Sequence, residues 1–527
     1  MVCVHGGGEA LEHGELQRVS QGPLNPAIEG AFVLAGNWRD TITEICVTVV
    51  GKDVDAIRRA RAAAEADADL VELRMDSMER PDPAAALAGR RKPAIVTCRP
   101  TREGGMFAGA EEERLRILWN AHEAGAEFVD VEVDASVRPL IEARAGRGVV
   151  VSKHDFAGTP ADAAEVMNRL RAAGGDVAKL AARTETFSDL TMLLSLARPD
   201  RHSIVIGMGA TGLITRVLAG RFGSRWTYAG DEVAPGQIPV ERLLHEYRFR
   251  RIRPDADVYV LLGRPAAHSL SPAMHNAGFG ALDMNAAYVP IEARDLREFR
   301  SFADAAGIRG ASVTIPFKRD VMSIIDELSP VAAEAGAVNT ITRRDGRWIG
   351  ANTDADGFLE PLRRRMPALE GLRATILGAG GAARAVALAL GRHGASVTIA
   401  ARRASEARDI AKAVGATVAG WPAPAGSWDV LVNATPVGSK AQEGTPYSGP
   451  LDGRLVYDLV YDPDPTPLMR AAQNAGCAVI GGLEMLVAQA ERQFELWTGR
   501  RPPEGLFAQA AAGAMKSRVE SAAAVAR

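Results

Sequence analysis

Two residues in this chain have types and spacing that point to covalent chemistry, a lysine inside an apolar run and a histidine at the end of the run before it. Lys179 lies in DVAKLAA, one β/α unit after VVVSKHDF, which carries His154. Burial strips an ammonium of its water and favours the neutral amine. A neutral amine can attack a ketone to form an imine, and a histidine beside it can move the proton on the adjacent carbon. A buried lysine paired with a carboxylate is the structural alternative, since ion pairs also bury lysines.

Further charged residues end neighbouring runs: Glu72 and Arg74 in VELRM, Arg99 in TCRP, and Arg216 after the seventh run. Glu72 and Arg74 are two apart and so face one side of a strand. A second group lies downstream. TILGAGGAARAVALALGRHG places Gly378, Ala379, Gly380, Gly381, Ala382 and Ala383 between a strand and a helix, and SVTIAARR follows. In that βαβ frame the glycines let backbone and helix N-terminus approach a pyrophosphate. A tight turn in an α/β protein is the alternative. The second strand ends in Ala401, Arg402 and Arg403 with no acidic residue. Arginines there suit a 2′-phosphate, so the expected cofactor is NADP. Upstream are Ser269 and Ser271 in AHSLSP, Thr314 and Lys318 in VTIPFK, Asn339 in AVNT and Asp354 in NTDADG. Hydride addition to a ketone builds charge on oxygen, which a lysine can neutralise by donating a proton. On spacing alone, Lys318 also reads as a solvated lysine after a strand.

Particular elements must position these residues. From Glu44 to about Gly230 the runs are EICVTVV, ADLVELRM, PAIVTCR, EFVDVEV, GVVVSKH, DVAKLAA, HSIVIGM and RWTYAG, with helical patterns between them. Eight βα units predict a (β/α)8 TIM barrel, whose strand C-termini converge on one mouth. An open doubly wound sheet is the alternative. One connecting helix is expected to begin with Thr159 as N-cap and Pro160 at its first position. The charged, proline-bearing RFRRIRPDAD reads as a linker, after which VYVLLG restarts a βα series.

The 527 residues allow about three domains of ordinary size. A net charge of −3 without a long basic run argues against nucleic acid as a partner. Cys3, Cys46, Cys98 and Cys477 form neither a metal spacing nor a disulfide pattern, so no metal is expected and a reducing cytoplasm suits the chain. No apolar run is long enough to span a membrane. Residues 1–43 are Gly-rich and acidic, lack the features of a signal or transit peptide, and read as a loose extension.

These motifs resemble two known families. VELRMD, TCRPTREGG, SKHDF, DVAKLA, GLITRVLAGRFGS and APGQI are similar to a type I 3-dehydroquinate dehydratase over about residues 44–250. That resemblance implies an imine on Lys179, proton transfer by His154, and Glu103 orienting His154. It also implies Arg216 on the substrate carboxylate, with Glu72, Arg74, Arg99 and Gln237 on the ring hydroxyls. Val233 stands where that family commonly has a serine, which removes one hydroxyl contact.

GRPAAHSLSPAMHN, GASVTIPFK, GAVNT and ANTDADGF resemble a shikimate dehydrogenase, over about residues 256–515. Ser269 and Ser271 would bind the substrate carboxylate, and Lys318 with Asp354 would form the catalytic pair. Thr314, Asn339, Tyr461 and Gln489 would line the substrate, and Asn433 and Thr435 of VLVNATPVGS the cofactor. The family's strand end often reads Asn-Arg-Thr where this chain has Ala401-Arg402-Arg403.

The implied domains are a substrate-binding lobe at 256–365, with 485–515 returning to it, and a Rossmann NADP-binding lobe at 366–484. The implied function is dehydration of 3-dehydroquinate followed by NADPH-dependent reduction of 3-dehydroshikimate. Three alternatives stay open: a class I aldolase-type barrel, an NAD-linked quinate dehydrogenase in the second half, and a non-catalytic metabolite sensor.

Overall fold

The alternation of runs and helices in the first half folds into eight strands that all run parallel. This computed structural model describes residues 43–198, 200–231, 233–423 and 428–525, so the expected loose extension falls, but for its last residue, outside the described residues. The strands are β1 (Glu44–Val49), β2 (Leu70–Arg74), β3 (Ala94–Thr97), β4 (Phe128–Glu132), β5 (Val149–Asp155), β6 (Val177–Arg183), β7 (Ser203–Met208) and β8 (Trp226–Ala229). Each pairs with the next from β1 to β7, and β1 also pairs with β8. The ring closes where Ser203 of β7 bridges Ser224, and Arg225 donates its N–H to Ser203 O at 2.9 Å. A ring closed in this way excludes the open sheet and leaves no free edge.

The barrel interior is built in layers. Cys46, Leu70, Ile95, Val150, Val177, Ile204 and Trp226 form an apolar floor. Side chains two residues apart on a strand share a face. One step above that floor therefore stand Thr48, Glu72, Thr97, Ser152 and Lys179, all buried. Hydrophobic floor and polar site thus come from the same strands, offset by two residues.

The helix after β5 spans Ala163–Ala172, with Asp162 as its N-cap residue. The expected start at Thr159 is therefore three residues early. The Thr159 hydroxyl instead donates to Arg183 O at the end of β6, at 3.0 Å.

The second half holds two further sheets. Strands β9 (Asp257–Leu262), β10 (Ala286–Ile291), β11 (Ile308–Val313), β12 (Glu327–Leu328), β13 (Thr340–Arg344) and β14 (Arg347–Ala351) lie in the order β10-β9-β11-β13-β14-β12. Strands β13 and β14 form an antiparallel hairpin turned by Asp345 and Gly346, both at positive φ. Asp-Gly is the dipeptide such a two-residue turn favours. Strands β15 (Arg373–Leu377), β16 (Ser396–Ala400), β17 (Thr417–Ala419), β18 (Val430–Asn433), β19 (Leu455–Asp458) and β20 (Ala478–Gly481) form a parallel sheet ordered β17-β16-β15-β18-β19-β20. This is the doubly wound order, and its switch point lies between β15 and β18.

Helices Asp354–Arg365 and Gly482–Thr498 join the two sheets. They cross closely at Gly357, where a Cβ would come within 2.6 Å of Gln489 Cβ. One continuous apolar core runs from Ile45 in the barrel to Trp348 in β14. Its seam is aromatic: Phe187 beside β6 meets Phe299 with ring centroids 5.2 Å apart, and Phe299 meets Trp348 at 5.8 Å. The doubly wound sheet has a separate core. No helix among the described residues is long and apolar enough to cross a membrane.

Candidate active sites

The first site occupies the barrel's polar layers. Register sets Lys179 opposite Ser152 and Ala181 opposite His154. Lys179 is therefore two residues deeper than His154, at mid-strand rather than at the strand end. Its Nζ lies 2.9 Å from Asp130 Oδ2 and 3.9 Å from Glu72 Oε1, and 4.3 Å from the Tyr228 ring centroid. The ammonium thus has two carboxylates and a π face beside it. The carboxylate pairing offered above as the alternative to an imine-forming lysine is present, in the geometry that a reactive lysine would also use.

His154 lies at the mouth, anchored from both sides by one carboxylate. Glu103, in a short 3-10 turn after β3, accepts from His154 N at 2.9 Å and lies 3.1 Å from Nδ1. Lys153 Nζ donates to its other oxygen at 3.1 Å. Burial pushes the His154 imidazole well below its usual value, and the Arg99 and Lys179 cations push the same way. Burial also raises the Glu103 carboxyl, an effect Arg99 only partly opposes. A neutral His154 with its proton on Nδ1, facing Glu103, leaves Nε2 as a base.

Arg99 and Arg74 are already partnered. Arg99 donates to Glu132 at 2.5 Å, Ser152 at 2.8 Å and Asp130 at 2.9 Å. Burial alone would raise the Asp130 carboxyl, but Arg99 and Lys179 outweigh it and hold it well below the usual range. Arg74 forks onto Asp76 at 2.9 and 2.6 Å. Glu72 accepts from Thr48 and Thr97, both at 2.8 Å, and Gln237 donates to Thr48 at 3.1 Å.

Arg216 is different. It is buried, its polar contacts are the carbonyls of Tyr228 and Pro235 at 3.3 and 3.4 Å, and its Nε has no partner. Burial lowers this guanidinium to about 10. A buried cation without an anion is costly, and a guanidinium can take a carboxylate as a fork.

The second site lies between the two sheets of the second half. Lys318 Nζ is 2.5 Å from Asp354 Oδ2. Asn339 donates to the other Asp354 oxygen at 2.7 Å and to Thr353 at 3.0 Å, and its amide lies 3.5 Å from Gln489 Oε1. Thr314 is half-buried four residues before Lys318, and Tyr461 packs on the core beneath β9 and β10. Ser271 N donates to Ser269 Oγ at 3.2 Å at the start of helix Ser271–Ala281. A Cβ on Gly381 would meet Lys318 Cδ at 3.1 Å, so the lysine lies against the first turn of helix Gly381–Arg392.

That turn fits a dinucleotide. Helix Gly381–Arg392 starts at Gly380 with no side-chain cap, which leaves the N–H groups of its first turn, at Gly381, Ala382 and Ala383, for an anion. Gly380 has open space where a Cβ would be. Gly378 has φ +113°, and a Cβ there would meet Ala434 O at 2.9 Å, so the turn demands glycine. Asn433 is fully buried, donating to Asp458 and Val437 O and accepting from Thr435. Its side chain shapes the loop beside Gly378. Arg402 and Arg403 are exposed; Arg403 pairs with Glu406 at 2.9 Å, which leaves Arg402 for an incoming anion.

Comparison with known proteins covers both sites. Residues 45–254 match the type I 3-dehydroquinase family, 261–341 the shikimate dehydrogenase substrate binding domain, and 482–512 the shikimate 5'-dehydrogenase C-terminal domain. A chloroplastic bifunctional 3-dehydroquinate dehydratase/shikimate dehydrogenase of Arabidopsis thaliana is 33% identical over 510 residues, 88% of this chain and 83% of that protein. The chain belongs to this bifunctional family. The NADP(+) shikimate dehydrogenase of Moorella thermoacetica is 42% identical over 274 residues, 48% of this chain and 92% of its own. A solved shikimate dehydrogenase from Thermus thermophilus in complex with NADP(H) and shikimate is 37% identical and covers 49% of this chain and 99% of that one, with a TM-score of 0.45.

Residues that carry much of the dehydratase site's electrostatics were missed in the sequence: Asp130, Glu132, Ser152 and Tyr228. A signal was there. EFVDVEV puts Asp130 and Glu132 two apart in a strand, the same pattern that singled out Glu72 and Arg74. In the dehydrogenase site, Thr353 and Gln493 were missed. Gln493 donates to Asn339 O and Thr340 at 3.0 Å each and accepts from Ser312 at 2.8 Å, which holds Asn339 in place.

Proposed function

We propose that the chain catalyses two consecutive steps: dehydration of 3-dehydroquinate to 3-dehydroshikimate in the barrel, then reduction of that product to shikimate with NADPH in the second half. What supports the first step is that Lys179 and His154 lie on neighbouring strands two residues apart in register, while Tyr228, whose ring lies under Lys179, gives its carbonyl to Arg216, a buried guanidinium without a carboxylate partner among the described residues.

Arg216 takes the substrate carboxylate as a fork. Lys179, after giving up its ammonium proton to water, attacks the carbonyl carbon of the ring ketone, and the ketone oxygen leaves as water as the imine forms. His154 Nε2 then removes a proton from the adjacent carbon, the electron pair expels the ring hydroxyl, and His154 returns the proton so that water leaves. Glu103 holds Nδ1–H throughout. Hydrolysis of the imine frees Lys179. Glu72, Arg74, Arg99 and Gln237 set the polar wall that meets the ring hydroxyls.

NADPH, when bound in the second half, would supply the hydride. Ser269 and Ser271 hold the substrate carboxylate, and Thr314, Asn339, Tyr461 and Gln489 face the ring. Lys318 donates a proton to the ketone oxygen as charge develops there, and Asp354, fixed by Asn339, keeps that ammonium in place. The turn Gly378–Ala383 would hold the pyrophosphate and Arg402 the 2′-phosphate.

The proposed domain limits are 44–250, 256–365 with 485–515, and 366–484. The partners are the two small ring acids, with no nucleic acid or membrane. A cytoplasmic location is supported by three described cysteines that are buried and free.

Supplying 3-dehydroquinate and NADPH together tests both steps. Stoichiometric loss of NADPH with appearance of shikimate is the expected result. Loss with 3-dehydroshikimate but none with 3-dehydroquinate would overturn the barrel assignment, and no loss with either would overturn the second.

A further inference from the structure

The loop that carries Ser269 and Ser271 is gripped on opposite polarities by two residues outside it. Glu292, just after β10, accepts with one carboxylate oxygen from the N–H groups of both Ala266 and Ala267. Arg518, on the last helix (Leu506–Val525), donates to the carbonyls of His268, at 2.5 Å, and Ser269, at 2.8 Å. The anion therefore takes the loop's donors and the cation takes its acceptors. Between the two grips Ser269 N donates to Ala266 O at 3.0 Å, which makes the turn that presents both serines.

Both grips are tied to the first half of the chain. Thr211 donates its hydroxyl to Glu292 O at 2.9 Å. Thr211 lies between β7 and the short helix Leu213–Val217 that carries Arg216. Arg294 N donates to Glu185 O, on the loop after β6, at 3.0 Å. Arg518 lies 3.9 Å from Glu246, which precedes the linker.

We propose that Glu292 and Arg518 are positioning residues for the carboxylate end of the dehydrogenase site. They hold the Ser269/Ser271 loop against the barrel's β6 and β7 loops. This rests on the reading of Ser269 and Ser271 as the carboxylate ligands. A loop with two charge-assisted anchors loses less freedom when it closes on substrate, which strengthens binding. Two adjacent backbone N–H groups also form a ready anion site. With Glu292 filling it, the substrate carboxylate has the serine hydroxyls as its donors; without Glu292, the vacated N–H pair competes for the same carboxylate.

The test is steady-state kinetics on the full chain with 3-dehydroshikimate and NADPH. Glu292→Ala should raise KM for 3-dehydroshikimate about tenfold, as expected for loss of a charge-assisted contact, with kcat, KM for NADPH and Tm nearly unchanged. Glu292→Gln, which keeps an acceptor oxygen, should recover most of the loss. Arg518→Ala should raise the same KM in the same direction. An unchanged KM in both alanine variants would overturn the proposal. So would a fall in kcat that tracks a fall in Tm, because it would mark a purely structural role. Wild-type protein that fails to turn over 3-dehydroshikimate would instead overturn the reading of the second site itself.

Discussion

Asp130 is shared between Lys179 and Arg99: one oxygen lies 2.9 Å from Lys179 Nζ and the other 2.9 Å from Arg99. Ser152 donates to it as well, at 2.7 Å. This buried carboxylate therefore sits between the Lys179 amine and the Arg99 guanidinium, whose other carboxylate neighbours are Glu72, 3.9 Å from Lys179, and Glu132, 2.5 Å from Arg99. Its removal takes away the closest carboxylate of Lys179 and one of the two that hold Arg99. Asp130→Asn should cost on the order of 3–5 kcal/mol of stability and lower dehydratase kcat. Denaturant unfolding and the dehydratase assay check it. A stable, fully active variant would mean that the pair contributes neither to folding nor to the imine step.

Arg216 poses the opposite case, a buried cation with no carboxylate partner among the described residues. Its charge costs stability until substrate arrives. Arg216→Met should therefore melt no lower than wild type without ligand, yet lose roughly 100-fold in dehydratase kcat/KM, in line with loss of a buried charge pair. Thermal melts with and without 3-dehydroshikimate separate these effects. A large fall in the ligand-free Tm would mean that the guanidinium is already satisfied by Tyr228 O and Pro235 O.

The pH dependence of the dehydratase follows from His154. Its folded-state value lies well below the ordinary 6.5, first because it is buried and then because Arg99 and Lys179 are close. The base is the neutral form, so activity is present above the folded-state value and is lost as pH falls through it. The acid limb of kcat/KM should therefore lie below about pH 6.5, with a flat profile from there to about pH 8. The same depression affects stability. Between 6.5 and the folded-state value the unfolded chain binds the extra proton, so His154 makes folding less favourable as pH falls across that window. A limb above 6.5 would assign the base to another group.

Several of these relationships were legible in the sequence, and the reason is local. Strand number and placement follow from short apolar runs that alternate with helical patterns, and the glycine turn follows from three glycines in one strand-to-helix step. Lys179 and His154 stand out because a charged residue in an apolar run is locally anomalous. Ser152 stands out only once register sets it opposite Lys179, and Tyr228 only once closure of the barrel brings its ring to 4.3 Å from Lys179 Nζ. The helix after β5 starts at Asp162 and not at Thr159, whose hydroxyl donates instead to Arg183 O on the next strand. The tie between Thr211 and Glu292 spans 81 residues of sequence. No periodic pattern carries such a contact.

The two arginines after β16 were indistinguishable in sequence and are not equivalent in the fold. Arg403 pairs with Glu406 at 2.9 Å within the following helix, whereas Arg402 is exposed and has no protein partner among the described residues. A 2′-phosphate brings a double charge that a free guanidinium can take as a fork. Arg402→Ala should therefore raise KM for NADPH by at least about tenfold, as for loss of a charged hydrogen bond, and change KM for NADH little. Arg403→Ala should have the smaller effect on NADPH, because its charge is already partly balanced by Glu406. Initial rates of 3-dehydroshikimate reduction with each cofactor decide it. Equal losses for NADPH and NADH in Arg402→Ala would show that the arginine supports the fold of the strand end and does not read the phosphate. A larger effect at Arg403 would mean that the Glu406 pair opens when the cofactor binds.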